Sequence, residues 1–249
     1  MVAFVDVRAY AELNDFLARG ERGTTVRRPF QPHQTVKDVV EAMGIPHTEV
    51  DLIIVNGEPV EFSHRPQSGD RLAVYPVFEA LDIAPVARLR SVPLREPRFV
   101  VDVHLGPLAR LLRLLGFDTR WDRDLDDDSL AAIAVEEHRV LLTSDRGLLK
   151  RKAITHGLFV RPSVAVDQAV QVLRRLELDS QLAPFTRCLN CNGMLTPVSK
   201  AEVLDRLQPL TRRHYEDFHR CDACGQVYWR GSHHDRLAGL VEEIRAALE

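Results

Sequence analysis

Three groups of residues in this chain have the types and spacing to do chemistry. Asp102 interrupts the apolar run Phe99-Val-Val-Asp-Val103, and Asp145 ends the run Val140-Leu-Leu-Thr-Ser-Asp145. A carboxylate in a buried-looking strand is costly unless something compensates it, and strand ends are where an open α/β sheet builds its site. Between them, Asp126-Asp127-Asp128 opens a helix-like stretch. Any one of these three is accounted for as a cap favoured by the helix dipole. Brought together, the three sources of carboxylate would repel unless a divalent cation neutralised them. Hard oxygen donors suit Mg²⁺ or Mn²⁺, and such an ion can ionise water for attack on a phosphodiester. Arg110, Arg113, Arg146, Lys150, Arg151 and Lys152 lie near the same strand ends, which fits a polyanionic substrate.

The second group is Cys188-Leu-Asn-Cys191 with Cys221-Asp-Ala-Cys224, and these hold all four cysteines of the chain. Each pair supplies half of a tetrahedral thiolate shell, so zinc is the expected ligand. Four sulfurs close the shell and make the role structural. Redox dithiols are the alternative, but neither pair follows a thioredoxin-like strand. The third group is Val227-Tyr-Trp-Arg-Gly-Ser-His-His234. Tyr228, Trp229, Arg230, His233 and His234 have the chemistry to stack on and pair with unpaired nucleotides. They equally have the chemistry to pack a zinc ribbon against its neighbour.

The elements that must position these groups are legible from pattern. Asp102 sits between a short strand and an amphipathic helix over 107–115, with Leu108, Leu111, Leu112 and Leu115 on one face. Strands over 117–121, 140–143 and 159–161 alternate with helices over 130–137, 146–152 and 166–176, which implies a parallel sheet. Before this, strands over 3–8, 24–28, 52–57 and 71–75 and helices over 11–17 and 36–43 make a small α+β unit. Thr35 and Asp38 read as the cap of the second helix. Residues 81–97, broken by prolines and carrying Arg88, Arg90 and Arg95, read as a linker. A helix-like stretch covers 200–207, and a polar-faced helix covers 235–249.

The totals set bounds. At 249 residues there is room for two domains or more. A net charge of -3 rules out a uniformly basic nucleic-acid wrapper but not a local patch. No apolar run is long enough to span a membrane. The N-terminal Met-Val-Ala-Phe-Val-Asp-Val-Arg lacks a secretion pattern, so a cytoplasmic chain without membrane partners is expected.

Residues 1–80 resemble the ubiquitin-like β-grasp domains of the molybdopterin and thiamine sulfur carriers. The match rests on Thr35-Val36-Lys37-Asp38, Val55-Asn56-Gly57, Gly69-Asp70-Arg71-Leu72 and Pro76. A sulfur carrier ends in a free Gly-Gly tail, whereas here Pro76-Val-Phe-Glu continues, so the resemblance implies the fold without the activity. Phe99-x-x-Asp102-x-His-Leu-Gly-x-Leu-Ala, Leu115-Gly-Phe-Asp118, Asp127-x-x-Leu130 and Leu142-Thr-Ser-Asp145-Arg146 are similar to the Mut-seven C-terminal RNase family. That family is a branch of the PIN-like nucleases, often with a β-grasp unit in front and a zinc ribbon behind. The resemblance implies a PIN-like three-layer domain over 98–183, a zinc ribbon with a terminal helix over 184–249, and an RNase site at Asp102, Asp127 and Asp145. Many PIN nucleases carry a further acid two residues after the position of Asp145, where this chain has Gly147.

Together these readings predict a metal-dependent ribonuclease or RNA-processing protein. Asp102, Asp127 and Asp145 would hold Mg²⁺ or Mn²⁺, and Cys188, Cys191, Cys221 and Cys224 one structural zinc. Arg110, Arg113, Arg146, Lys150, Arg151, Tyr228, Trp229, Arg230 and His233 are the candidate RNA contacts. A non-catalytic protein gripping a structured RNA such as tRNA is the alternative. A third reading is an adaptor whose β-grasp domain meets a protein partner.

Overall fold

The computed structural model describes residues 2–76 and 97–249. The expected linker therefore lies outside the described residues, except for Pro97. The described residues form two compact units that do not respect chain order. Residues 2–76 group with 131–159, and residues 97–130 group with 160–249. Among the described residues no helix is long and apolar enough to cross a membrane.

β1 (Ala3–Ala9) buries Val5, Val7 and Ala9 at alternate positions, the period of a strand with one face on a core. A 3₁₀ turn over Ala11–Phe16 stands where a short helix was expected, and it still buries Leu13 and Phe16. β2 (Val26–Phe30) returns antiparallel to β1. α1 (Val36–Ala42) starts where Thr35 and Asp38 predict. The Asp38 N–H donates to the Thr35 hydroxyl at 3.3 Å, and the Thr35 N–H donates to the Asp38 carboxylate at 2.7 Å. This reciprocal cap holds the Asp38 carboxyl below its usual range.

β3 (Val50–Val55) turns at Asn56-Gly57 into β4 (Glu58–Val60), a strand the sequence pattern did not indicate. Both turn residues have positive φ, 51° and 97°, as a two-residue hairpin requires. β5 (Arg71–Pro76) completes a sheet of order β2-β1-β5-β3-β4, with β1 parallel to β5. This is the expected ubiquitin-like β-grasp arrangement, closed over a core that includes Val36, Val40, Ile45 and Ile53.

From Pro97 the chain alternates: β6 (Phe99–Val101), α2 (Gly106–Leu114), β7 (Thr119–Arg120), α3 (Asp127–Glu136), β8 (Val140–Thr143), α4 (Arg146–Leu149), β9 (Gly157–Phe159) and α5 (Ala165–Arg175). β6 runs parallel to β7, and β8 runs parallel to β9. The helix expected over 130–137 begins three residues earlier, at Asp127. The last strand ends at Phe159 rather than starting there.

Three strands, β10 (Leu195–Val198), β11 (Phe218–Cys221) and β12 (Val227–Trp229), form an antiparallel sheet. The expected helix over 200–207 is shorter: α6 (Lys200–Val203) gives way to a 3₁₀ turn, and α7 (Pro209–His214) comes next. α8 (Ser232–Leu248) starts three residues before the expected 235.

Gly116 closes α2 against the segment around Ala183. Its φ is +100°, and a Cβ there would lie 2.3 Å from the Ala183 carbonyl oxygen. Just before it in the chain, the Leu115 and Leu114 carbonyls accept from the Ala183 and Phe185 N–H groups, each at 2.9 Å. Gly116→Ala therefore meets both backbone strain and a steric clash. The expected loss is about 2 kcal/mol, read as a lower urea midpoint with an unchanged m-value.

Candidate functional site

The four cysteines are reduced, and their ligand atoms all lie within 4.8 Å of one another. Cys188 Sγ is 3.6 Å from Cys224 Sγ, and Cys191 Sγ is 3.4 Å from Cys221 Sγ. A disulfide would need about 2.05 Å. Tetrahedral zinc with Zn–S near 2.3 Å has edges of about 3.8 Å, so the cluster fits one metal ion such as zinc. At Cys188 burial opposes the thiolate, but hydrogen bonds from the Tyr228 hydroxyl and from the Cys191 and Asn190 amides outweigh it. They bring the thiol down to about 7. Burial, reinforced by the neighbouring sulfurs, pushes Cys191 up to about 12.

Tyr228 takes part in this centre. Its hydroxyl accepts from the Leu189 N–H at 3.1 Å and lies 3.1 Å from Cys188 Sγ. Burial and then the Cys188 sulfur raise its pKa, so the hydroxyl keeps its proton and donates it to the sulfur. Tyr228, expected to stack on RNA, braces the first cysteine knuckle and also lines the cleft that holds Trp229.

Arg113 also differs from its expected role. It is 3 % exposed. Its Nε donates to the Thr119 carbonyl at 2.9 Å, and its Nη1 donates to the Leu189 and Asn190 carbonyls at 3.1 and 2.8 Å. Burial lowers its pKa, while the Cys191 and Cys188 sulfurs favour its charge. A guanidinium so enclosed cannot reach a phosphate; it clasps the residues inside the first knuckle to the end of α2. Asn192 adds to the clasp by accepting from the Thr119 N–H at 2.9 Å and donating to Asp118 at 2.8 Å. Arg187 donates to the Gly116 carbonyl at 3.0 Å.

The acidic candidates occupy distinct settings. Asp102 directly succeeds β6, is 6 % exposed, and accepts from the His104 N–H at 3.1 Å. Its turn is braced by Trp121, whose indole N–H donates to the Val103 carbonyl at 3.2 Å. Asp126 caps α3 by accepting from the Ser129 N–H at 2.8 Å, which places Asp127 in the helix's first turn, exposed. Asp145 is exposed and caps α4, accepting from the Gly147 N–H at 2.6 Å. Asp102 and Asp127 belong to one compact unit and Asp145 to the other.

Two of the cations after Asp145 are engaged with β-grasp residues. The Arg146 guanidinium lies 5.2 Å from the ring centroids of both Phe16 and Phe159. Lys150 Nζ donates to the Glu41 carbonyl at 2.7 Å. In the same body His47 bridges Glu41 and the Ile154 carbonyl at 2.7 and 2.8 Å, and Glu49 accepts from the Phe159 N–H. Arg146, which is exposed, and Lys150 thus meet Phe16 and Glu41 of the β-grasp unit. Arg151 is half-buried and has interactions of its own.

The remaining candidates converge. Arg110, Trp229, Arg230 and His233 all line one cleft of 1170 Å³, and none of them makes a side-chain hydrogen bond or ion pair among the described residues. The cleft also takes in Phe185 and His234, stacked at 4.4 Å and 24°. Phe185 was not singled out as an RNA contact, because its pairing with His234 joins residues almost fifty positions apart. A readable hint for Arg113 did exist: it stands within Leu111-Leu112-Arg113-Leu114-Leu115, a stretch apolar on every side of the helix.

Comparison with known proteins fits this picture. No curated protein matches. Two solved structures match in part. The crystal structure of small archaeal modifier protein 1 from H. volcanii is 24 % identical over 30 % of this chain and 99 % of that one, with a TM-score of 0.25. That of SAMP1 from Haloferax volcanii is 22 % identical over 31 % of this chain and 99 % of that one, with the same TM-score of 0.25. The Mut7-C ubiquitin family model matches residues 2–82, and the Mut7-C RNAse domain model matches residues 97–241. With more than half of its length so matched, the chain belongs to the Mut7-C RNAse domain family.

Proposed function

We propose that the protein is a metal-dependent ribonuclease of PIN-like architecture, with Asp102, Asp127 and Asp145 as its catalytic carboxylates. The observation that carries this reading is Asp102. It is a carboxylate withdrawn from water at the end of a parallel strand, inside the region matched as an RNAse domain. Helix caps work at the surface, and burial adds a cost that capping does not require. An all-carboxylate donor set suits Mg²⁺ or Mn²⁺. Such an ion, when bound, lowers the pKa of water and offsets charge at the phosphodiester. The chain's own part is to hold the acids in place. Trp121 fixes the turn that carries Asp102, and the Gly147 N–H orients the Asp145 carboxylate. Zinc at Cys188, Cys191, Cys221 and Cys224 would be structural, since four thiolates leave no open position.

A second reading is a non-catalytic RNA-binding protein, with tRNA among the candidates. It is favoured by Gly147, which stands where the resemblance to PIN nucleases leads one to expect an acid; a Cβ there would lie 3.1 Å from Asp145 Oδ1. Cleavage of defined RNAs with Mn²⁺ decides between the two. Asp145→Asn is expected to lower the rate at least a hundredfold, about 2.7 kcal/mol of barrier. Wild-type protein that binds RNA yet leaves it intact would end the hydrolase reading in favour of the second.

A further inference from the structure

We infer that the cleft beside β12 and the start of α8 takes an unpaired stretch of RNA, one base stacking on Trp229 and the adjoining phosphates meeting Arg110, Arg230 and His233. The inference rests on the RNA-directed reading above but not on catalysis. Trp229 is built as a platform. Its ring packs near Tyr215, with centroids 6.5 Å apart at 48°, and a Cβ at Gly231 would lie 3.0 Å from the indole nitrogen. A side chain at 231 would have to displace the indole by a few tenths of an ångström. Held this way, the indole is still 38 % exposed, and its N–H has no acceptor among the described residues. A large, fixed and partly bare aromatic suits base stacking, which is tolerant of sequence because every base has a π-face.

Charge points to the same occupant. Arg113, Arg146 and Lys150 are all held by neighbours, whereas Arg110, Arg230 and His233 are not. Of the two acids lining the cleft, Glu216 is paired with Lys200 at 2.6 Å, leaving Asp217 against these cations. His234 adds a buried Nδ1 that makes no hydrogen bond and lies 3.7 Å from the Asp235 carboxylate. At 1170 Å³ the cleft exceeds the roughly 300–1,000 Å³ of a small-ligand pocket, so it suits a polymer. A base face is open to the indole only when the base is unpaired, so single strands should be preferred over duplex.

The test uses full-length protein carrying Asp145→Asn, to prevent cleavage, and a fluorescein-labelled single-stranded 12-mer RNA beside the same sequence as a duplex. The single strand should bind more tightly and quench tryptophan emission. Trp229→Ala should weaken that binding about tenfold or more, and Trp229→Phe should recover part of the loss. Arg110→Ala, on another wall of the cleft, should weaken binding and lower the salt slope by about 0.7. Zinc content and thermal melting confirm that each variant is folded. Folded Trp229→Ala and Arg110→Ala proteins that bind the single strand as tightly as their parent would overturn the inference, as would a preference for duplex or no RNA binding at all. Wild-type protein that binds in this way without cleaving would remove the ribonuclease reading and leave the cleft assignment standing.

Discussion

Cys188→Ser is expected to abolish stoichiometric zinc and unfold the ribbon. The wild-type protein should carry one zinc per chain and the variant close to none, measured by metal analysis after exhaustive dialysis. The reason lies in the size of the ribbon's own core. Its buried cluster consists of Val203, Leu207, Phe218 and Val227, with Val198 and Tyr215 at its edge. Modules with so small an apolar core usually need a metal or disulfides to stay folded, and here the four cysteines are free and clustered. Structural zinc contributes about 10–16 kcal/mol in comparable small sites. Cys188 is also the sulfur that receives the Tyr228 hydroxyl, so its loss removes both a ligand and the brace on that ligand. Amide-exchange protection over β10, β11 and β12 should collapse. A folded, zinc-free wild-type protein would overturn the assignment of the centre.

Much of this architecture is legible in the residues themselves, because local physics writes it there. The Thr35–Asp38 cap, the Asn56-Gly57 turn and the fully buried β8 each depend on neighbours a few positions away. The cysteine pairs are legible for the same reason, since spacing within each pair sets the knuckle. What the sequence pattern could not assign was the work done by individual cations. Arg110 and Arg113 stand three apart on one helix and look alike, yet one faces an open cleft while the other is enclosed by carbonyls more than seventy residues away. Lys150 and the Glu41 carbonyl it meets are separated by 109 positions. No periodicity records such a pairing. Tyr228 and Trp229 are adjacent, and a strand sends adjacent side chains to opposite faces. One therefore braces the sulfur cluster and the other stays partly bare.

Arg113→Met should cost about 4 kcal/mol of stability, the expectation when a buried charge in a hydrogen-bonded network is replaced, and weaken zinc binding at least tenfold. Methionine fills much of the volume, so the loss is one of hydrogen bonding and charge rather than of packing. Four carbonyls, those of Thr119, Trp121, Leu189 and Asn190, would lose a charged donor at sites buried or half-buried from water. Two of these carbonyls lie inside the Cys188-Leu-Asn-Cys191 knuckle, which gives a residue outside the cysteine pairs a direct hold on metal-site geometry. The guanidinium also places positive charge beside thiolates that carry a net negative charge once they bind a divalent ion. Arg113→Lys keeps the charge but not the fork, and should recover less than half of either loss. Urea denaturation and competition with a chromophoric zinc chelator measure the two effects separately. If Arg113→Met lowered stability while zinc affinity stayed at the wild-type value, the arginine would be a strut for α2 alone. A parallel fall in both would make it part of the metal centre's outer shell.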